Sequence, residues 1–237
     1  MFLQKNKTVA MQRLLEHFSH GYYYYQKGFV NPLKLKKLII KFCDLYKIQS
    51  TRNQKYYRKT KNQANTFFTC YPVNQHGSVV FIWFLLATDG VGKIHDLEKL
   101  NDGRNPQNRI NWDFDYEIVK ISSKGKKTAF TWRMTKVNFD SWVSRIRQAV
   151  KEENNSSLLK QCIWSLKRTP GFRGNRENVK ELFGILKGDL KRVKSKSFLL
   201  DGETFYHGYV RKLKNNFIDL GLALDNISKN RKFDYDS

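Results

Sequence analysis

The chain has 237 residues, of which 40% are hydrophobic and 14% aromatic, and 44 Lys plus Arg against 21 Asp plus Glu give it a formal net charge of +23. That length and apolar content suit one or two folded domains with a proper core and exclude a chain too polar to fold. Self-repulsion of this size is relieved by a polyanion, nucleic acid first and anionic lipid second.

In chain order, the apolar residues Val9, Met11, Leu14, Leu15 and Phe18 recur at helical spacing and predict a first helix over residues 8–18. His17 and His20 stand at i and i+3, a spacing two metal ligands use, but no third ligand is near, so surface or packing roles are expected. Four consecutive tyrosines follow, Tyr22 to Tyr25. Adjacent residues cannot all face one core, so some of these rings are expected in solvent, placed to stack on bases or a partner. Asn31-Pro32 reads as a cap followed by a first-turn proline. The helix it opens carries Leu35, Leu38, Ile39, Phe42, Leu45 and Tyr46 as its apolar stripe. From Leu33 to Lys61 there are ten Lys/Arg and one acid, Asp44. The later part of that span, Arg52 to Lys61, interleaves basic and aromatic side chains, which hold phosphates and offer stacking planes.

Residues 67–87 read as a hairpin turning at Asn74-Gln75-His76-Gly77. Its return arm, Val79 to Ala87, is apolar at every position, the pattern of a strand in the middle of a sheet covered on both faces. It is too short for a helical membrane span. Residues 89–117 then carry seven acids against four Lys/Arg. A second hairpin is expected over 115–135, turning at Ser122-Ser123-Lys124-Gly125. Its return arm alternates. Thr128, Phe130, Trp132 and Met134 are assigned to the core; Ala129, Thr131, Arg133 and Thr135 are assigned to an outer face rich in donors for phosphate.

Asn138 is read as the cap of a helix lined by Phe139, Trp142, Val143, Ile146 and Val150, which should cover the sheet. Asn154-Asn155-Ser156 opens another, with Leu158, Leu159, Cys162, Ile163 and Leu166 buried. The loop from Lys167 to Arg176 combines Gly171 and Gly174 with four cations ahead of a helix expected to begin at Asn175, so backbone N–H groups and charges would converge on a phosphate. That helix runs on Val179, Leu182, Phe183, Leu186, Leu190 and Val193. From Lys160 to Lys196 there are eleven basic and three acidic residues. A short hairpin around Asp201-Gly202 is expected over 198–210, a last helix on Phe217, Leu220, Leu222 and Leu224, and fraying from Arg231.

The expected class is α+β, an antiparallel sheet of about four strands made from the two hairpins and packed by helices. Three regions are drawn: a helical basic 1–62, a sheet-plus-helix core 63–153 and a helical basic 154–237, the last forming one compact unit with the core. Cys43, Cys70 and Cys162 form no C-x-x-C pair and no even set, which excludes a zinc ribbon and points to a reducing cytoplasm, or a nucleoid in a bacterium. Met1 to Lys5 leads into no apolar run, so no secretory signal is expected.

The functional expectation is non-enzymatic binding of nucleic acid, DNA ahead of RNA, without a cofactor, as an accessory factor of a mobile element in replication, mobilisation or transposition. The candidate contacts are Lys37 and Lys41; Arg52, Lys55, Tyr56, Tyr57, Arg58, Lys59 and Lys61; Arg133; Lys167, Arg168, Arg173 and Arg176; and Lys191, Arg192 and Lys194. One alternative is a magnesium-dependent nuclease using Asp89, Asp113, Asp115 and Glu117, which requires at least two of these acids to converge in a basic groove. Another is RNA binding, or docking on an anionic membrane or acidic partner, the membrane form requiring an exposed apolar face on the helix over 33–48. Protein partners and a homodimer are left open.

Overall fold

The computed structural model describes residues 2–123, 126–152, 156–193, 206–215 and 217–229. The first elements are β1 (Phe2–Gln4), α1 (Lys7–Ser19), β2 (Tyr24–Val30), α2 (Pro32–Tyr46), α3 (Arg52–Thr60), β3 (Thr66–Gln75), β4 (Ser78–Ala87), α4 (Lys93–Leu97) and β5 (Asn101–Asp102). There follow β6 (Asn111–Trp112), β7 (Tyr116–Ser123), β8 (Lys126–Met134), α5 (Lys136–Lys151), α6 (Ser156–Lys167), α7 (Arg173–Arg192), β9 (Phe217–Asp219) and α8 (Leu220–Ser228). The class is α+β, and the strands pair antiparallel. Two compact units result, Met1–Ile110 with Lys212–Ser237, and Asn111–Arg211.

In the first unit the strand order is β3-β4-β2-β5. The apolar run makes β4 the central strand, with Phe81, Ile82, Phe84, Leu85, Leu86 and Ala87 all buried, so both of its faces are covered. The β3–β4 turn is tighter than the sequence suggests. The ladder continues to Gln75↔Ser78, leaving His76 and Gly77 at φ of 50° and 82°, the positive pair that a two-residue hairpin requires. The second neighbour of β4 is β2, in register from Tyr24↔Ala87 to Val30↔Phe81. This corrects the expectation of one sheet made from both hairpins: β2 occupies the free edge of β4, and the 115–135 hairpin belongs to the other unit.

On one face of this sheet Phe68, Cys70, Phe81 and Leu85 join Leu35, Ile39 and Phe42 of α2 in a single core, closed by Leu3, Ile218, Leu220 and Ala223. Towards the other face lies α1, whose His17 ring stacks on Phe67 with centroids 3.6 Å apart. The four tyrosines are half-buried or buried, against the expectation that some stand in solvent. Each finds a partner of its own. Tyr22 meets His17 edge-on, Tyr23 meets Phe18, Tyr24 meets His95, and the Tyr25 hydroxyl donates to the Arg109 carbonyl.

In the second unit the order is β6-β7-β8. Trp132 and Met134 are buried as the alternation implies, whereas Thr128 is exposed and Phe130 half-buried, and Trp132 packs edge-on against Trp112. The opposite face is not an open phosphate-binding surface. Thr131 is buried, its Oγ1 accepting the Gly174 N–H at 3.2 Å, because the start of α7 lies against β8. The glycine permits this approach: a Cβ on Gly174 would sit 2.8 Å from the Trp132 carbonyl oxygen. Arg133 pairs across the ladder with Glu117 at 2.8 Å. The cap of α5 is Thr135, not Asn138, whose side-chain amide instead donates to the Asp115 carbonyl. This helix buries Ile146, Ala149 and Val150 and packs chiefly on α6 and α7 rather than covering the sheet. Leu159, Cys162, Ile163 and Leu166 of α6 and Val179, Leu182, Phe183, Leu186 and Leu190 of α7 are buried, whereas Leu158 is half-buried and Val193 follows the end of α7, which begins at Arg173, two residues before the expected start. Asn175 is drawn in, its side chain donating to the Pro170 carbonyl. The turn at Lys124-Gly125, the cap at Asn154-Asn155, the Asp201-Gly202 turn and the tail from Arg231 lie outside the described residues. Within the expected 198–210 hairpin, residues 206–210 form no strand. Phe217 belongs to β9 rather than to the last helix.

Candidate nucleic-acid interface

The helix α3 is built from its ends. Thr51 caps it by accepting the Gln54 N–H at 3.3 Å, and the Gln54 side chain accepts the Thr51 N–H at 2.9 Å, a reciprocal capping box. Two further bonds seat its backbone, Asn65 Nδ2 to the Lys55 carbonyl and the Gln63 N–H to the Arg58 carbonyl, both at 2.9 Å. None of its residues is buried. A helix polar all round, attached through its backbone, presents its side chains rather than packing them.

Helical spacing sets Arg52, Lys55, Tyr56 and Lys59 in one row. Tyr56 is 71% exposed and Tyr57 is 57% exposed, and the Lys61 ammonium lies 4.5 Å from the Tyr57 ring centre. No carboxylate breaks the stretch between Asp44 and Asp89.

Beside the row lies a groove of about 870 Å3, lined by α1 through Arg13, Glu16, His17 and His20, by α3 through Arg52 and Lys55, and by Lys212 and Asn215. The spacing of 13, 16, 17 and 20 places the four α1 residues on one helix face. Arg13 is a structural clamp, with contacts to Asn215 Oδ1 at 2.7 Å, the Leu213 carbonyl at 2.7 Å and Glu16 at 2.8 Å. Glu16, the groove's one acid, also meets Lys212 at 3.2 Å, and its hydrogen bond from Arg13 lowers its pKa. Burial, reinforced by Lys55, pulls the His17 imidazole down to about 4. Burial also lowers the Lys55 ammonium, with Arg58 adding to the effect. The groove therefore combines a neutral aromatic wall with exposed cationic residues, Arg52 and Lys212 among them.

The remaining sequence candidates fall in both units. Lys37 and Lys41 are exposed on α2, where Lys41 reaches Glu98 at 3.5 Å. The exposed apolar residues of α2, Leu33 and Ile40, are separated by lysines and form no continuous apolar face. Lys167 is half-buried, and the Arg168 guanidinium lies 3.8 Å from the Trp164 ring centre. Arg173 and Arg176 line a second concavity with Lys180, Phe183, Tyr206 and His207. One of the backbone N–H groups expected to face a phosphate there is committed elsewhere. The Gly174 N–H is given to Thr131, and a Cβ on Gly171 would collide with the Gly208 carbonyl. Lys191 and Arg192 are exposed at the end of α7, and Lys194 lies outside the described residues.

The four acids do not all fall in one unit. Asp89 belongs to the first unit and the other three to the second. Asp113 and Asp115 sit in the turn before β7, Asp113 at φ 53°, while Glu117 is held by Arg133. Among the described residues no group of three or more His, Cys, Asp or Glu is placed to hold a metal ion. No described helix is long and apolar enough to cross a membrane. His20, Lys212, Lys180 and Tyr206 were not among the sequence candidates. The α1 spacing carries a signal for His20, whereas nothing local marks Lys212.

Comparison with protein-family models, curated proteins and solved structures returns no match.

Proposed function

We propose that the chain binds nucleic acid, duplex DNA ahead of RNA, by laying α3 against it. The supporting observation is a capped helix with no fully buried residue that displays Arg52, Lys59 and two exposed tyrosines, with Lys55 half-buried where it meets a cationic groove. Cations along the helix row take phosphates and release counterions. An exposed helix suits the major groove of B-DNA, about 12 Å wide, whereas the major groove of an A-form RNA helix is too deep and narrow to admit it. Binding rather than cleavage is the activity proposed, since Asp113 and Asp115 hold turn positions and Glu117 is paired with Arg133.

The test is a set of anisotropy titrations at matched salt with duplex DNA, single-stranded DNA and structured RNA. The expected order places duplex DNA first, with Arg52→Ala/Lys59→Ala weakening it at unchanged melting temperature. Equal affinity for all three in the wild type, or a double variant that binds as before, sinks the reading.

A further inference from the structure

The second concavity lies wholly within the second unit and has a volume of about 370 Å3. Small-molecule sites occupy roughly 300–1,000 Å3. Its wall is the first half of α7, where Arg173, Arg176 and Lys180 follow one another at spacings of three and four and so share a face. Phe183, buried one turn further on, adds apolar surface. Glu177 offsets part of this charge, reaching Arg173 at 3.6 Å. Across from α7 stands Tyr206, 67% exposed. Its position is fixed by its neighbours. His207 is buried, with Nε2 2.8 Å from Thr169 Oγ1 and Nδ1 3.1 Å from the Gly208 carbonyl. The Val210 N–H donates to the Gly171 carbonyl at 3.1 Å, and Gly171 is the residue with no room for a Cβ beside Gly208. The segment is thus seated on the α6–α7 turn, which explains why that turn needs a glycine and brings Tyr206 to the concavity that the cations of α7 line.

We propose that this concavity holds one unpaired nucleotide, its phosphate on Arg176 and Lys180 and its base against the Tyr206 ring. A cationic wall alone would take any anion. A cationic wall facing an exposed ring and floored by Phe183 selects an anion that carries a planar aromatic group. The nucleotide is either free or one unit of a single strand, and both present the same phosphate and base. The site does not depend on α3.

The experiment uses the full chain carrying Tyr56→Ala/Tyr57→Ala, which weakens the α3 surface and leaves this site intact. A labelled single-stranded pentanucleotide is titrated by anisotropy, then displaced with adenosine monophosphate or inorganic phosphate. Binding is expected to persist in this background and to fall about ten-fold on adding Tyr206→Ala, the loss of one stacked base. Tyr206→Phe should restore it, and Lys180→Ala should weaken it and flatten its salt dependence. Displacement by adenosine monophosphate identifies a site open to free nucleotides, and resistance to it identifies a strand-only site; either supports the proposal. Unchanged affinity in Tyr206→Ala, or displacement by inorganic phosphate as effective as by the mononucleotide, overturns it. Failure of duplex binding at α3 leaves these readouts untouched, so the two ideas fail separately.

Discussion

Gly28 and Trp83 face each other across the β2–β4 ladder, and a methyl group on Gly28 would lie 2.8 Å from the indole Cζ2. The indole lies over the strand backbone where any side chain would displace it. Gly28→Ala is therefore expected to destabilise the first unit by about 1–3 kcal/mol, the usual cost of overpacking. Thermal melts followed by circular dichroism check this; a variant as stable as the wild type would show that the ring moves aside at no cost.

His17 makes the first unit sensitive to acid. Its folded pKa of about 4 lies below the ordinary 6.5, so the unfolded chain takes up the proton first. Its contribution is whole above about pH 6.5 and is lost as the pH falls toward 4, on the order of 3 kcal/mol over the full window. Urea midpoints at pH 7, 6 and 5 should decline in the wild type and flatten in His17→Phe, which keeps an aromatic ring against Phe67. An identical decline in both would assign the effect to other groups.

Because no residue of α3 is fully buried, its ends govern its persistence. Thr51→Ala removes half of the capping box and should cost the helix about 0.5–2 kcal/mol. The loss is expected to stay local: amide exchange in 52–60 accelerates while the amides of β4 remain protected. Duplex affinity should drop with it. Faster exchange across β4 as well would mean that α3 supports the core.

The salt dependence of duplex binding measures how many phosphates are engaged. With six to ten neutralised, log K should fall against log salt with a slope of about −5 to −9. Arg52→Ala/Lys59→Ala should reduce the slope's magnitude by about two. Affinity that barely changes between low and physiological salt would remove electrostatics as the driving term.

Much of the architecture is readable in local pattern. Nine apolar residues in a row can satisfy a strand only at the centre of a covered sheet, and β4 is that strand. Asn31-Pro32 starts α2 where cap chemistry says it must. Long-range choices were not readable. The Tyr22–Tyr25 run looks like a stacking surface until its partners are known, and those of Tyr24 and Tyr25, His95 and Arg109, come from far along the chain. Thr131 and Arg133 alternate as an outer face should, but periodicity cannot announce that α7 will lie over Thr131. The basic, aromatic character of 52–61 was legible. That the segment is a helix with no buried side of its own follows only from the fold, as does the groove formed with His20 and Lys212.

The β1–β9 ladder joins Leu3 to Ile218, and α8 then contributes Leu220 and Ala223 to the same core. This sets an order for the growing polypeptide. The unit from Asn111 to Arg211 is one continuous stretch and can fold as soon as it leaves the ribosome. The unit that begins first is completed last, since β1 waits through more than two hundred residues for its partner strand. During that interval Leu3 and its neighbours lack their final cover, so nascent chains stalled before residue 217 should be the protease-sensitive and chaperone-dependent species.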